Sequence, residues 1–129
     1  MLTIEHLTKH YPGTSSGVTD LSLHVEKGDL FAFIGHNGAG KTTTLKSVVG
    51  IHNFDQGEIR IDGISLKEKP IACKQKLAYI PDNPELYAYL TGAQYLTFVA
   101  DIFGVPADLR QERTAQYGKQ LGILDALGF

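Results

Sequence analysis

The chain is short of the features that most often settle a protein's setting. It has a single cysteine, Cys73, among 129 residues. That excludes an internal disulfide and fits a reducing compartment; Cys73 itself reads as a small buried residue. No apolar run approaches the roughly 18 residues that a membrane span needs. The longest is Leu30-Phe31-Ala32-Phe33-Ile34. The opening Met1-Leu2-Thr3-Ile4-Glu5-His6 lacks the charged-then-apolar layout of a signal peptide. The expectation is therefore a cytoplasmic protein whose membrane role, if it has one, comes through a partner, with no direct insertion. Charge of one sign is also missing. The net charge of -2 gives no general pull toward nucleic acid. There is no internal repeat and no low-complexity tract.

What is present is a mixed pattern of short strands and helices. Leu2 to Thr8 and Val18 to Val25 alternate apolar and polar residues, as half-buried strands do. The turn-rich Tyr11-Pro12-Gly13-Thr14-Ser15-Ser16-Gly17 separates them. Leu30 to Ile34 is apolar throughout, the pattern of a strand buried on both faces of a parallel sheet. A glycine-rich loop follows, then a helix from Thr42 to Val49 with Gly50 at its C-terminal cap. Gly57 to Asp62 reads as a strand closing at the Asp62-Gly63 turn, and Leu77 to Ile80 as a short apolar strand. Tyr95, Leu96, Val99, Ala100 and Phe103 have helical spacing. A more polar helix is expected from Pro106 to Leu121. Residues 1–90 thus read as one mixed part and residues 91–129 as a helical one. Strands alternating with helices imply a sheet still under construction at Gly128-Phe129, so a piece of a larger protein is expected.

The loop carries the chemistry. Gly35-His36-Asn37-Gly38-Ala39-Gly40-Lys41-Thr42 matches G-x-x-x-x-G-K-[ST] at every fixed position. The chance of such a match in a chain of this composition is about one in a hundred. The context, a strand before and a helix after, is the one its mechanism requires. A triphosphate must be held by many donors at close range. Gly35, Gly38 and Gly40 let the backbone wrap tightly, and its N–H groups converge as an anion nest. The helix N-terminus adds unpaired N–H groups and the positive end of its dipole. Lys41 can reach the β- and γ-phosphates, and the Thr42 hydroxyl can ligate a magnesium ion between them. His36, at a variable position of the motif, reads as a solvent-facing loop residue. Lys67, Lys69, Lys74 and Lys76 read as a solvated face.

The wider sequence resembles the ATP-binding-cassette family, in particular the ATPase subunits of membrane transporters. Gly35 to Thr43 is similar to the family's G-x-N-G-A-G-K-[ST]-T, in which Asn37, Gly38 and Ala39 are far more specific than a bare phosphate-loop match. Leu21 to Asp29 resembles the family's approach to that loop, and Gly57 to Gly63 resembles its G-x-[IV]-x-[IV]-x-G hairpin. The resemblance implies an α/β fold: a partial P-loop NTPase core with an antiparallel β-subdomain, and the start of an α-helical subdomain. It implies ATP and Mg2+ as ligands, held by Gly35 to Thr43. It matches Tyr11 to the aromatic residue that stacks on adenine, the alternative being a loop tyrosine packed on its neighbours.

The segment Tyr79 to Tyr87 aligns with a family loop in which most members have glutamine where this chain has Asp82. That glutamine helps hold magnesium and the attacking water. Aspartate can bind magnesium but donates no hydrogen bond when ionised. Asp82 therefore stands as a candidate metal and catalytic residue beside Lys41, or simply as the start of the Asp82-Asn83-Pro84 turn. The family's remaining catalytic parts do not occur in these residues: an apolar strand ending in Asp-Glu, a downstream histidine, and a serine-glycine-glycine motif. The resemblance implies a transmembrane permease subunit and a second ATP-binding subunit, identical or not, as partners, and a place on the inner face of the cell membrane. The Asp82 loop leans toward an exporter. A non-transport ATPase of the same family, and a non-catalytic nucleotide-binding piece, are the rival readings.

Overall fold

A computed structural model describes residues 1–129. The chain divides into two units, Met1–Ile80 and Pro81–Phe129.

The first unit is built on an antiparallel sheet of four strands in the order β2-β1-β3-β4. These are β1 (Leu2–His10), β2 (Gly17–Val25), β3 (Gln56–Ile61) and β4 (Ile64–Ser65). β1 is central, pairing Ile4 with Leu23 on one side and with Ile59 on the other. Strict alternation would bury Ile4 and His6, yet the buried residues are Ile4 and Leu7. A bulge makes the difference. His6 and Asp20 both adopt φ 51, and the β1–β2 register shifts between Ile4 and Leu7. The extra residue turns Leu7 inward and leaves His6 outside, where its Nδ1 lies 2.6 Å from Asp20 Oδ1. β3 must pass close to this bulge. Gly57 does so at φ 101, where a Cβ would stand 2.5 Å from the His6 carbonyl oxygen.

The β3–β4 hairpin closes on Asp62-Gly63 with φ 49 and 77, the two positive values of a type I′ turn. Asp62 also ties down the chain start. It accepts from the N-terminal ammonium at 2.9 Å and pairs with Lys76 at 3.3 Å. These contacts, the N-terminus first, hold its carboxyl below the usual carboxylate range.

Against the sheet lies α1 (Lys41–Val48), with Thr43, Thr44, Ser47 and Val48 buried. A helix face this polar can be buried because each of its hydroxyls has a partner, two of them backbone carbonyls of the helix and its cap. Thr44 Oγ1 donates to the Gly40 carbonyl and Ser47 Oγ to that of Thr43, both at 2.8 Å. The helix ends in a Schellman motif. Gly50, at φ 79, donates to Ser47 and Ile51 donates to Lys46. The core gathers Ile4, Leu7, Val48, Ile59, Ile61, Leu66 and Cys73. Cys73 sits on α2 (Pro70–Lys74), a short helix with proline in its first turn. With so few fully buried apolar side chains, each contributing about 1.5–3 kcal/mol, the core has little redundancy.

Two expected strands are absent. Leu30 to Ile34 and Leu77 to Ile80 form no strand, and Leu30, Ile34 and Ile80 are almost fully exposed. The reason is that a strand is a pairwise object. Both runs have the composition for a buried parallel sheet, but every strand pair formed by this chain is antiparallel and engages other residues.

The second unit is helical: α3 (Gly92–Ile102), α4 (Ala107–Gln120) and a 3-10 turn, Leu124–Leu127. Thr91 caps α3 in a capping box with Gln94. The α3–α4 turn is clamped by Arg110, whose Nε donates to the Val105 carbonyl at 2.5 Å and whose Nη1 pairs with Asp101 at 2.6 Å. No helix is long and apolar enough to cross a membrane.

Leu30 to Ile34 is apolar, free of charge and of Pro and Gly, and exposed except at the half-buried Phe33, which is the profile of a segment that recruits another strand. The 129-residue chain should therefore self-associate as its concentration rises. Ala32→Lys, placing a charge mid-run, should return it toward the monomer in sedimentation. A wild-type chain that stays monomeric throughout would show that this run does not pair.

Candidate functional site

The glycine-rich loop is placed by its last glycine. Gly40 is buried, with φ 95, and a Cβ there would lie 2.7 Å from the Gly17 carbonyl oxygen. The start of α1 therefore backs directly onto the first residue of β2. Gly38 has φ 87 but open space around it, so only its backbone angle calls for glycine. Gly35 closes the loop differently. Its Cβ would stand 3.1 Å from that of Ala39, so two small residues are needed for the ends to meet. Within the loop, Ala39 N–H donates to the His36 carbonyl at 3.1 Å. His36 and Asn37 are exposed.

The first intrahelical bond of α1 runs from Thr44 N–H to the Gly40 carbonyl, at 2.9 Å. The N–H groups of Lys41, Thr42 and Thr43 therefore have no acceptor in the helix, and no side chain caps this end. Together with the helix dipole they form a concentration of donors suited to an anion. Lys41 reaches back across the loop, donating from Nζ to the carbonyls of Gly35 and, at 2.8 Å, of His36. Both acceptors are neutral. An ionised phosphate oxygen adds a Coulombic attraction that a neutral carbonyl lacks, so the ammonium has a better partner available if a phosphate enters. Thr42 is exposed, with its hydroxyl unpaired within the chain, whereas Thr43 is buried.

Tyr11 joins this group from the β1–β2 turn. Thr43 Oγ1 donates to its hydroxyl at 3.4 Å, a long hydrogen bond. Its half-buried ring meets His52 nearly edge-on, with centroids 5.8 Å apart at 81°. Lys9 Nζ lies 5.5 Å from the ring centroid. The structure thus gathers Tyr11, the loop, Lys41, Thr42 and Thr43 in the first unit. His52 and Lys9 complete the surroundings, and no sequence spacing announced them. Asp82 belongs to the second unit, exposed, in a bend.

These residues fit a polyphosphate and an aromatic base. For a metal the fit is narrower. No three His, Cys, Asp or Glu side chains are grouped so as to hold one. The Thr42 hydroxyl alone suits a magnesium ion that arrives on phosphate oxygens, the usual way this cation is carried.

The sequence model of the ABC transporter family matches residues 18–127. The chain is 38% identical over 100 residues to the SkfA peptide export ATP-binding protein SkfE of Bacillus subtilis (strain 168), a match covering 78% of this chain and 41% of that protein. It is 32% identical over 117 residues to the choline transport ATP-binding protein OpuBA of the same organism, covering 90% and 31% respectively. A solved structure of an ATP binding subunit of an ABC transporter superposes with a TM-score of 0.86 at 30% identity, over 98% of this chain and 52% of that one. The chain spans less than half the length of these curated relatives.

Gly40 and Gly38 offer a controlled comparison. Gly40→Ala adds a backbone collision to an unfavourable φ, whereas Gly38→Ala meets only the φ penalty. Gly40→Ala should destabilise the chain by about 2–3 kcal/mol and Gly38→Ala by about 1 kcal/mol in urea denaturation. Equal losses would mean that the approach to Gly17 does not hold the loop in place.

Proposed function

This chain belongs to the ABC transporter family, and from that premise we propose that it is the nucleotide-holding part of an ATP-binding subunit that drives a membrane permease. The observation that carries the proposal is the meeting of Lys41, Thr42 and the free N–H groups of α1 at one loop, with Tyr11 beside them. In this reading Gly35 to Thr43 hold Mg-ATP. The backbone N–H groups of the loop and of the first helical turn cradle the phosphates. Lys41 exchanges its carbonyl partners for β- and γ-phosphate oxygens, and Tyr11 stacks on adenine. Magnesium, when bound with the nucleotide, offsets the phosphate charge, and Thr42 supplies its protein ligand. Asp82 is the candidate second ligand and water-orienting group.

The whole subunit would pair with a second ATP-binding subunit, sit against a permease on the inner face of the cell membrane, and hydrolyse ATP. Export is the favoured direction, supported by the Asp82 loop and by the likeness to a peptide export protein. The 129 residues themselves are proposed to bind without turnover. Hydrolysis requires a group that polarises the attacking water and charge stabilisation facing the γ-phosphate. No apolar strand ending in Asp-Glu occurs in the chain to supply the first. This observation also favours the narrower reading of the isolated chain as a nucleotide-binding piece.

Calorimetric titration with Mg-ATP and a steady-state phosphate-release assay test both halves. The chain should bind ATP, lose most of that affinity in Lys41→Ala, and release no phosphate above the level of that variant. Unchanged affinity in Lys41→Ala would remove the phosphate assignment. Phosphate release that is present in the wild-type chain and lost in the variant would show that the catalytic groups lie within these residues.

A further inference from the structure

We propose that His52 is a positioning residue for the base platform: its edge-on contact holds the Tyr11 ring in the orientation that adenine stacking needs. The proposal rests on the reading of Tyr11 as that platform. It adds a residue that belongs to neither the phosphate loop nor the β1–β2 turn.

The argument begins with how loosely the rest of the molecule holds the ring. The backbone of Tyr11 is fixed. Its N–H donates to the Ser16 carbonyl at 3.5 Å, and its own carbonyl accepts from Thr14 N–H and Thr14 Oγ1, each at 3.2 Å. The side chain is another matter. It is half-buried and turns about two soft torsions. Its only hydrogen bond is the 3.4 Å contact with Thr43 Oγ1, at the outer limit of such bonds. Lys9 Nζ, at 5.5 Å from the centroid, is near the outer reach of a cation–π contact and also lies 4.0 Å from Asp55 Oδ1. Neither contact fixes the plane of the ring. The His52 contact does, because two aromatic rings at 5.8 Å and 81° occupy the favoured T-shaped geometry, which is sensitive to the rotation of both.

His52 is well placed to act as a stop. Its backbone N–H donates to the Lys46 carbonyl at 3.2 Å, beside the Ile51 bond that completes the Schellman motif. Its backbone is therefore fixed to the C-terminal end of α1, while the other end of the same helix presents the N–H groups for the phosphates. Tyr11 spans these two ends, with its hydroxyl reaching Thr43 in the first turn and its ring meeting His52 just past the last. One helix thereby sets both the phosphate donors and the angle of the base platform. The spacing between the two subsites is built into α1.

A binding group that occupies its competent orientation only part of the time lowers affinity by that fraction. Releasing the ring should weaken binding about three- to tenfold, the range that one aromatic contact can bias. Only ligands with a base should feel the loss. The test titrates the full chain and its His52→Ala, His52→Phe and Tyr11→Ala variants with Mg-ATP and with magnesium tripolyphosphate, which has the phosphates and no base. His52→Ala should bind ATP about three- to tenfold more weakly, bind tripolyphosphate as the wild type does, and be rescued by His52→Phe. Equal weakening for both ligands would assign His52 to the folding of α1 and overturn the proposal. Unchanged ATP affinity in His52→Ala, with a loss in Tyr11→Ala, would overturn it while leaving the platform reading intact. Unchanged affinity in Tyr11→Ala would remove the platform and the proposal together.

Discussion

At the entrance to α1 two backbones approach so closely that a single methyl group would stand 2.7 Å from the Gly17 carbonyl oxygen. Both contacting residues are glycines. One opens β2 and the other precedes the helix. Through this approach the sheet decides where the helix begins, and so where the three unpaired N–H groups lie. The buried Thr43, Thr44, Ser47 and Val48 face keeps α1 on the sheet. The bulge at His6, with Gly57 packed against it, keeps Leu7 in the core beneath. Much of the first unit can be followed outward from that contact to the orientation of one helix end.

The proposed anion site lies on a chain of net charge -2, so recognition there would be local. Bulk charge would not attract a nucleotide. Fixed dipoles, free N–H groups and one lysine would do so over a few ångströms, where their number and direction matter more than the protein's average field. Lys41 illustrates the point. It is held by two neutral carbonyls of its own loop, so its charge is already placed at that loop.

Features governed by neighbouring residues were legible in the sequence. The glycine-rich loop, the Gly50 cap, the Asp62-Gly63 hairpin and the strands β1 and β2 follow from local chemistry, whereas the antiparallel arrangement of the sheet was implied by the family resemblance. Features governed by distant partners were not. Leu30 to Ile34 carries every local sign of a buried strand, but pairing needs a neighbour that local composition cannot supply. The bulge escaped because His6 and Asp20 are not residues that announce positive φ as glycine does. The short helix α2 was hidden in a lysine-rich stretch. Of the residues that the structure brings together, the loop was singled out by spacing and Tyr11 by resemblance. His52 carried no signal, since its meeting with Tyr11 is made by the docking of α1.

The central claim is that Gly35 to Thr43 is a preformed triphosphate cradle. Its most direct test is amide-resolved NMR of the isotopically labelled chain, titrated with magnesium tripolyphosphate. The account predicts saturable shifts concentrated in the amides of Gly35 to Thr43, largest for Lys41, Thr42 and Thr43, with the sheet amides nearly still. Shifts scattered over the lysines of residues 67 to 76, with the loop unmoved, would contradict it.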